Sequence, residues 1–216
     1  MASMFQTTLA VKTPPKGEPV SIVLARQHCR IDNSSDDALL AMYLTTARQM
    51  AEQYLSRALL TQTLTWTVRP YLERRTEVSF LRGPLFLPRA PVQSVSSVTA
   101  LDRLGNATTI AAAVLPVVPP AFLVGYNLDI STEPAKLYIG QTTPLTGGRD
   151  LRCTELESVQ VEFTAGYADV DDIPKAIINA ILLTTGFLYE NRGDVAAEMP
   201  RAAEWLLDAY RIMFVG

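Results

Sequence analysis

His28, Cys29 and Asp32 stand close together and supply the side chains of a nucleophile, a base and an orienting acid. Neighbouring residues of a helix project about 100 degrees apart, so His28 and Cys29 cannot face each other, and they read as ordinary helix-surface residues. With one histidine and two well-separated cysteines, Cys29 and Cys153, a metal centre is left with oxygen ligands alone. Asp169, Asp171 and Asp172 form the densest acidic group, and with Glu190 they are the residues a metal-assisted hydrolase would use. They directly precede Pro174, and carboxylates at a helix start satisfy its free N–H groups without a cation. There is no Walker-type loop, no G-x-G-x-x-G and no G-x-S-x-G, and Gly147-Gly148-Arg149 lacks the flanking strand and helix of a phosphate loop. The expectation is a protein that is not an enzyme, with no catalytic, cofactor-binding or metal-binding residues.

The elements that would carry these residues fall in an informative order. Residues 1–19 are polar and contain Pro14, Pro15 and Pro19, which suits an extended N-terminal arm able to reach a neighbour. Helix one opens at Ser21 and runs to about Arg30, with Ile22, Ala25 and Cys29 on one face. Helix two starts from Ser34 or Ser35 with Asp36 and Asp37 in its first turn, and its apolar stripe is Leu39 or Leu40, Tyr43, Ala47, Met50 or Ala51, and Tyr54.

From about Leu60 to Tyr167 short β-branched runs alternate with Pro and Gly. Strands are expected at Thr61–Val68, Val78–Leu81, Val92–Leu101, Thr108–Ile110, Phe122–Val124, Lys136–Ile139 and Val159–Thr164, with turns at Asp102–Asn106 and Gly147-Gly148. The proline-rich run 115–120 suits an edge or an exposed loop. Helix three begins at Pro174 and is apolar almost all round, as a central helix should be. A last helix follows Pro200 and carries Trp205, Leu206, Ala209, Tyr210 and Met213, with Trp205 expected in the core and Phe214 exposed toward a partner. The fold class is therefore α+β: a small helical bundle of about four helices (20–59 and 168–216) with a β-rich domain (60–167) inserted between helices two and three.

The 216 residues, 48% hydrophobic and 19% charged, suit a globular chain. A formal charge of −3 and the absence of a basic cluster exclude a protein whose main work is gripping nucleic acid. Arg69, Arg74 and Arg75 sit among Glu73 and Glu77 as in a solvated turn. DNA can still pass such a surface without sticking. Two thiols on separate elements suit a reducing compartment. Without a secretory leader or an apolar stretch of about 18 residues, the expected site of synthesis is the cytoplasm, with no membrane partner.

Together these landmarks resemble the head-to-tail connector (adaptor) proteins of long-tailed bacteriophages and gene transfer agents. The resemblance runs through Glu18–Ser21, Ala25–Asp32, Asp36–Leu40 and Ala47–Leu59, then Leu60–Thr63 and Pro91–Val98. It continues through Phe163–Tyr167 and Ile173–Ile177 to Leu188–Arg192. It implies a virion structural protein of the neck: a ring of twelve copies under the portal that extends the DNA channel and offers a platform to a stopper or tail-completion protein. By the same resemblance the C-terminal segment Arg211, Ile212, Met213, Phe214, Val215 and Gly216 contacts the portal; the arm and tail are expected to order on assembly, a disorder-to-order step. Rival readings are another neck component, the hydrolase above, and a carbohydrate-binding β-module suggested by Tyr71 and Tyr126.

Overall fold

The computed structural model describes residues 5–70, 84–112, 125–139, 144–145, 149–150, 156–193 and 198–213. Strand β1 (Phe5–Thr13) is followed by helices α1 (Ile22–Cys29) and α2 (Asp37–Leu55). Then come β2 (Gln62–Pro70), β3 (Leu85–Phe86), β4 (Val92–Asp102), β5 (Ala107–Ile110), β6 (Tyr126–Asp129), β7 (Lys136–Ile139), β8 (Pro144–Leu145), β9 (Arg149–Asp150) and β10 (Leu156–Ala165). Helices α3 (Lys175–Glu190) and α4 (Arg201–Asp208) complete the order. Four helices and antiparallel sheets among the described residues make the chain α+β. Contacts divide it into a unit that holds the strands and a unit, Pro15–Thr61 with Gly166–Met213, that holds the helices.

In the strand unit the main sheet has the order β1-β2-β10-β4-β5, and β3-β7-β6 and β8-β9 form smaller sheets. Leu64, Trp66 and Val68 of β2 are buried while Thr63, Thr65 and Thr67 are half-buried, the period-2 pattern of a strand with one face on a core. Val159, Val161 and Phe163 of β10 and Val98 and Ala100 of β4 bury the same face across the ladder. At the β4–β5 turn Asp102 accepts hydrogen bonds from the N–H groups of Leu104 and Asn106 and from the Asn106 side chain, each at 2.8 Å, and Gly105 takes φ +84°.

Residues 1–19, expected as a free arm, are extended but not free over Phe5–Thr13: β1 pairs antiparallel with β2 from Phe5↔Pro70 to Thr13↔Thr63. Thr7, Thr8, Val11 and Thr13 favour a pleated strand, and Pro14 ends it.

In the helical unit Ser21 caps α1, its hydroxyl accepting from Leu24 N–H at 3.2 Å. The buried face of α2 is Leu40, Leu44, Ala47, Arg48, Ala51, Glu52 and Leu55, so Tyr43 and Tyr54 lie at its margin rather than at its centre. Helix α3 is the central one, packing on α1, α2 and α4 and burying Ile177, Ala180, Ile181 and Leu182. In α4 the buried residues are Ala203 and Leu207. Trp205, two positions from each, points about 200 degrees away and is 77% exposed, which overturns its expected place in the core. The helix also stops at Asp208, short of the expected run to Met213.

Gly166 has φ +120°, and a Cβ there would lie 2.2 Å from the Leu60 carbonyl oxygen. Only glycine lets the chain leaving β10 run beside Leu60, where Leu60 bridges Tyr167 and the Thr61 hydroxyl donates to the Tyr167 carbonyl at 3.0 Å. Arg74, Arg75, Val78–Leu81, the run 115–120, Phe122–Val124, Gly147-Gly148, Tyr71, Cys153 and Phe214–Gly216 lie outside the described residues.

Candidate assembly surface

The side chains with catalytic potential are occupied otherwise. His28 is exposed on α1, where its ring covers Gly186 of α3, a Cβ at that glycine lying 3.3 Å from the ring. Cys29 is half-buried, and its thiol is pushed up first by desolvation and then by the Glu190 charge. Both effects hold it protonated, the reverse of an activated nucleophile. Asp169 caps the 3-10 turn Val170–Asp172 by accepting from Asp171 N–H at 3.2 Å, and Asp171 lies 3.6 Å from Lys175. Among the described residues no cluster of His, Cys, Asp or Glu has a metal-holding arrangement.

What the charged residues build is a frame. Arg48, 5% exposed, donates through Nε to Glu18 at 2.7 Å and through Nη1 to Glu52 at 2.8 Å. Glu52 accepts the Leu59 N–H at 2.9 Å, and Thr45 donates to Glu18 at 2.8 Å. The segment before α1, the middle of α2 and the segment after α2 are thus tied through one guanidinium. At the opposite end of α2, Asp36 accepts from Tyr189 and from Arg192 at 3.0 Å, and Arg192 stacks 4.3 Å from the Tyr189 ring. The hydrogen bonds from Tyr189 and then Arg192 hold the Asp36 carboxyl below its ordinary range. Arg26 of α1 lies 3.1 Å from Asp37 of α2. Of this frame only Asp36 and Asp37 were legible in the sequence, as acids in the first turn of helix two where its dipole favours negative charge; the available signal for the rest was Arg48 and Glu52, four apart beside an apolar stripe.

The segment assigned to partner contact divides in the structure. Ile212 is buried, and its N–H donates to the Leu55 carbonyl at 3.0 Å, satisfying an acceptor left free at the end of α2. Arg57 donates to the Tyr210 carbonyl at 2.7 Å, Tyr54 donates to Asp208, and the Arg211 guanidinium sits 4.8 Å above the Tyr54 ring. The tail is therefore pinned to α2 as far as Ile212. Met213 turns outward and is 78% exposed. Met213 and Trp205 are large apolar side chains left uncovered near the C-terminus, and Val23, Leu24 and Met42 are exposed on α1 and α2. Large exposed apolar side chains of this kind suit contact with another protein surface.

The model of the phage gp6-like head-tail connector protein family matches residues 21–99, which span α1, α2, β2, β3 and most of β4. No curated protein matches the sequence. A chain from the virion of a native gene transfer agent (GTA) particle is similar over 96% of this chain and 97% of its own, with 22% identity and a TM-score of 0.68. At that identity the likeness speaks for the fold. A chain from the neck of a native GTA particle computed with C12 symmetry covers the same shares at 25% identity and a TM-score of 0.65. The resemblance to head-to-tail connector proteins is borne out by a family match over residues 21–99, and nearly the whole chain shares the fold of gene transfer agent neck chains.

Proposed function

We propose that the protein is a structural component of the virion neck, a head-to-tail connector that forms a ring of twelve copies under the portal, extends the DNA channel and offers the platform to which a stopper or tail-completion protein attaches. The observation that carries this reading is the likeness over nearly the whole chain to a neck subunit solved with C12 symmetry. A structural role agrees with what these side chains do: Cys29 is held protonated, His28 covers Gly186, and Asp169 caps a turn before Pro174.

A ring whose subunits repeat by rotation needs two different complementary patches on each copy. Exposed apolar residues on α1 and α2 and others on α4 supply different surfaces. In this assignment Trp205 and Met213, with the tail Arg211–Gly216, face the portal, Arg211 and Met213 making the contact while Ile212 stays in the bundle as its anchor. Particles produced without this protein should accumulate as DNA-filled heads lacking tails, seen directly in electron micrographs. Tailed particles of normal appearance would refute the connector role.

A further inference from the structure

We propose that β1 is an exchanged strand: in the ring, Phe5–Thr13 of one copy pairs with β2 of the adjacent copy, in the place of that copy's own β1. This rests on the ring reading above and adds the contact that holds neighbours together.

The first observation is how little side-chain burial holds β1. Leu9 and Val11 lie opposite Trp66 and Leu64, which are 7% and 2% exposed, yet Val11 is 57% exposed and Leu9 only half-buried. The other β1 residues whose burial is described are exposed. What holds the strand is the backbone ladder, with eight paired positions, and the ion pair from Lys12 to Glu162 at 2.6 Å. A ladder of this kind depends on backbone direction and register, and a second copy reproduces both without loss. The docking edge exists independently of β1, because β2 is fixed on its other side by β10.

The second observation is the connection between β1 and the helices. Pro14 and Pro15 hold an extended backbone at about 3.1 Å per residue, Gly17 stands in open space, and Glu18 is clamped to Arg48 and Thr45 of α2. A short proline-bearing connection that bends at Lys16 and Gly17 between two anchored ends can serve as the hinge of a strand exchange, in which every contact is retained and only the chain that supplies it changes. Neighbours in a ring present their edges at high effective concentration, so each exchange favours the next.

The Lys12–Glu162 pair makes a test possible on the unaltered protein. Equal amounts of natural-nitrogen and heavy-nitrogen protein are mixed as free subunits and assembled into rings. Ring formation is verified by native mass spectrometry, and the rings are treated with a carbodiimide that joins an amine to a carboxylate in contact. The expected result is Lys12–Glu162 cross-linked peptides of mixed isotope beside like-isotope ones. Rings that give only like-isotope products, or no Lys12–Glu162 product, overturn the exchange and leave the ring standing. Failure to form rings, alone or with portal-bearing particles, overturns the ring reading and the exchange with it. As a second measurement, Ala10→Cys with Thr65→Cys, in a chain also carrying Cys29→Ser and Cys153→Ser, should oxidise to chains of linked subunits on a non-reducing gel; monomers with an internal disulfide would contradict the proposal.

Discussion

Arg48 shows how one residue sets the helical unit. Its charge is removed from water, so the two carboxylates it serves must pair with it or be left buried and uncompensated. Arg48→Ala should cost about 3 kcal/mol in urea unfolding, and the triple change Arg48→Met, Glu18→Gln, Glu52→Gln should recover most of it. Loss of stability equal in the single and triple variants would contradict the network. Beside Asp102 and Asp129, whose carboxyls are likewise held low by hydrogen bonds from Asn106 and Ser131, Asp36 contributes to the pH dependence. Its folded pKa lies below the unfolded value, so its contribution is complete above the ordinary carboxylate range and disappears as pH falls through the folded pKa. Thermal unfolding of Asp36→Asn should therefore lose part of the acid-side decline seen in the parent protein, while both remain parallel near neutral pH. For Trp205 the expectation is reversed: Trp205→Ala should change the stability of the free protein by less than about 0.5 kcal/mol while reducing incorporation into particles. A strongly destabilised free protein would place the indole in the core after all. In the sequence Trp205 read as core because its helix is amphipathic. Which stripe is buried is decided by where α3 and α2 lie, and that is tertiary information.

At the scale of elements, the period of the apolar residues was sufficient where one face packs on a core. The four helices, the Lys136–Ile139 strand and the alternating Thr61–Val68 stretch were legible in this way. Strand β1 was not legible as a paired strand, because its side chains pack on almost nothing and its pairing partner is far away in sequence, Phe5 opposite Pro70 and Thr13 opposite Thr63. Two-residue strands such as β3 carry no period at all. Arg48 and Glu52 were hidden for a related reason: charges on a helix stripe read as exposed until a third partner, Glu18, is brought to them. Gly166 is the element-scale position most sensitive to change. Gly166→Ala should destabilise by at least about 2 kcal/mol, since φ +120° is unfavourable for alanine and the added methyl meets the Leu60 backbone. Chemical unfolding measures this directly, and a neutral outcome would mean that the chain leaving β10 has another path.

For the whole molecule, the order of elements is what the proposed neck role builds on. Helices stand before and after a run of strands, the chain matches the head-tail connector family over residues 21–99, and it shares the fold of neck chains along nearly its full length. The proposed assembly draws on features already described: exposed apolar side chains on α1, α2 and α4, a tail pinned at Ile212, and an edge strand, β1, that the proposal has a neighbour supply. A formal charge of −3 is compatible with the DNA channel of the proposed ring, where DNA would pass without being held. The central claim is that one ring of this protein sits in each neck, and quantitative mass spectrometry of purified particles tests it through the copy number relative to the portal protein. A ratio near one establishes a ring matched to the portal; absence from the particles contradicts the account.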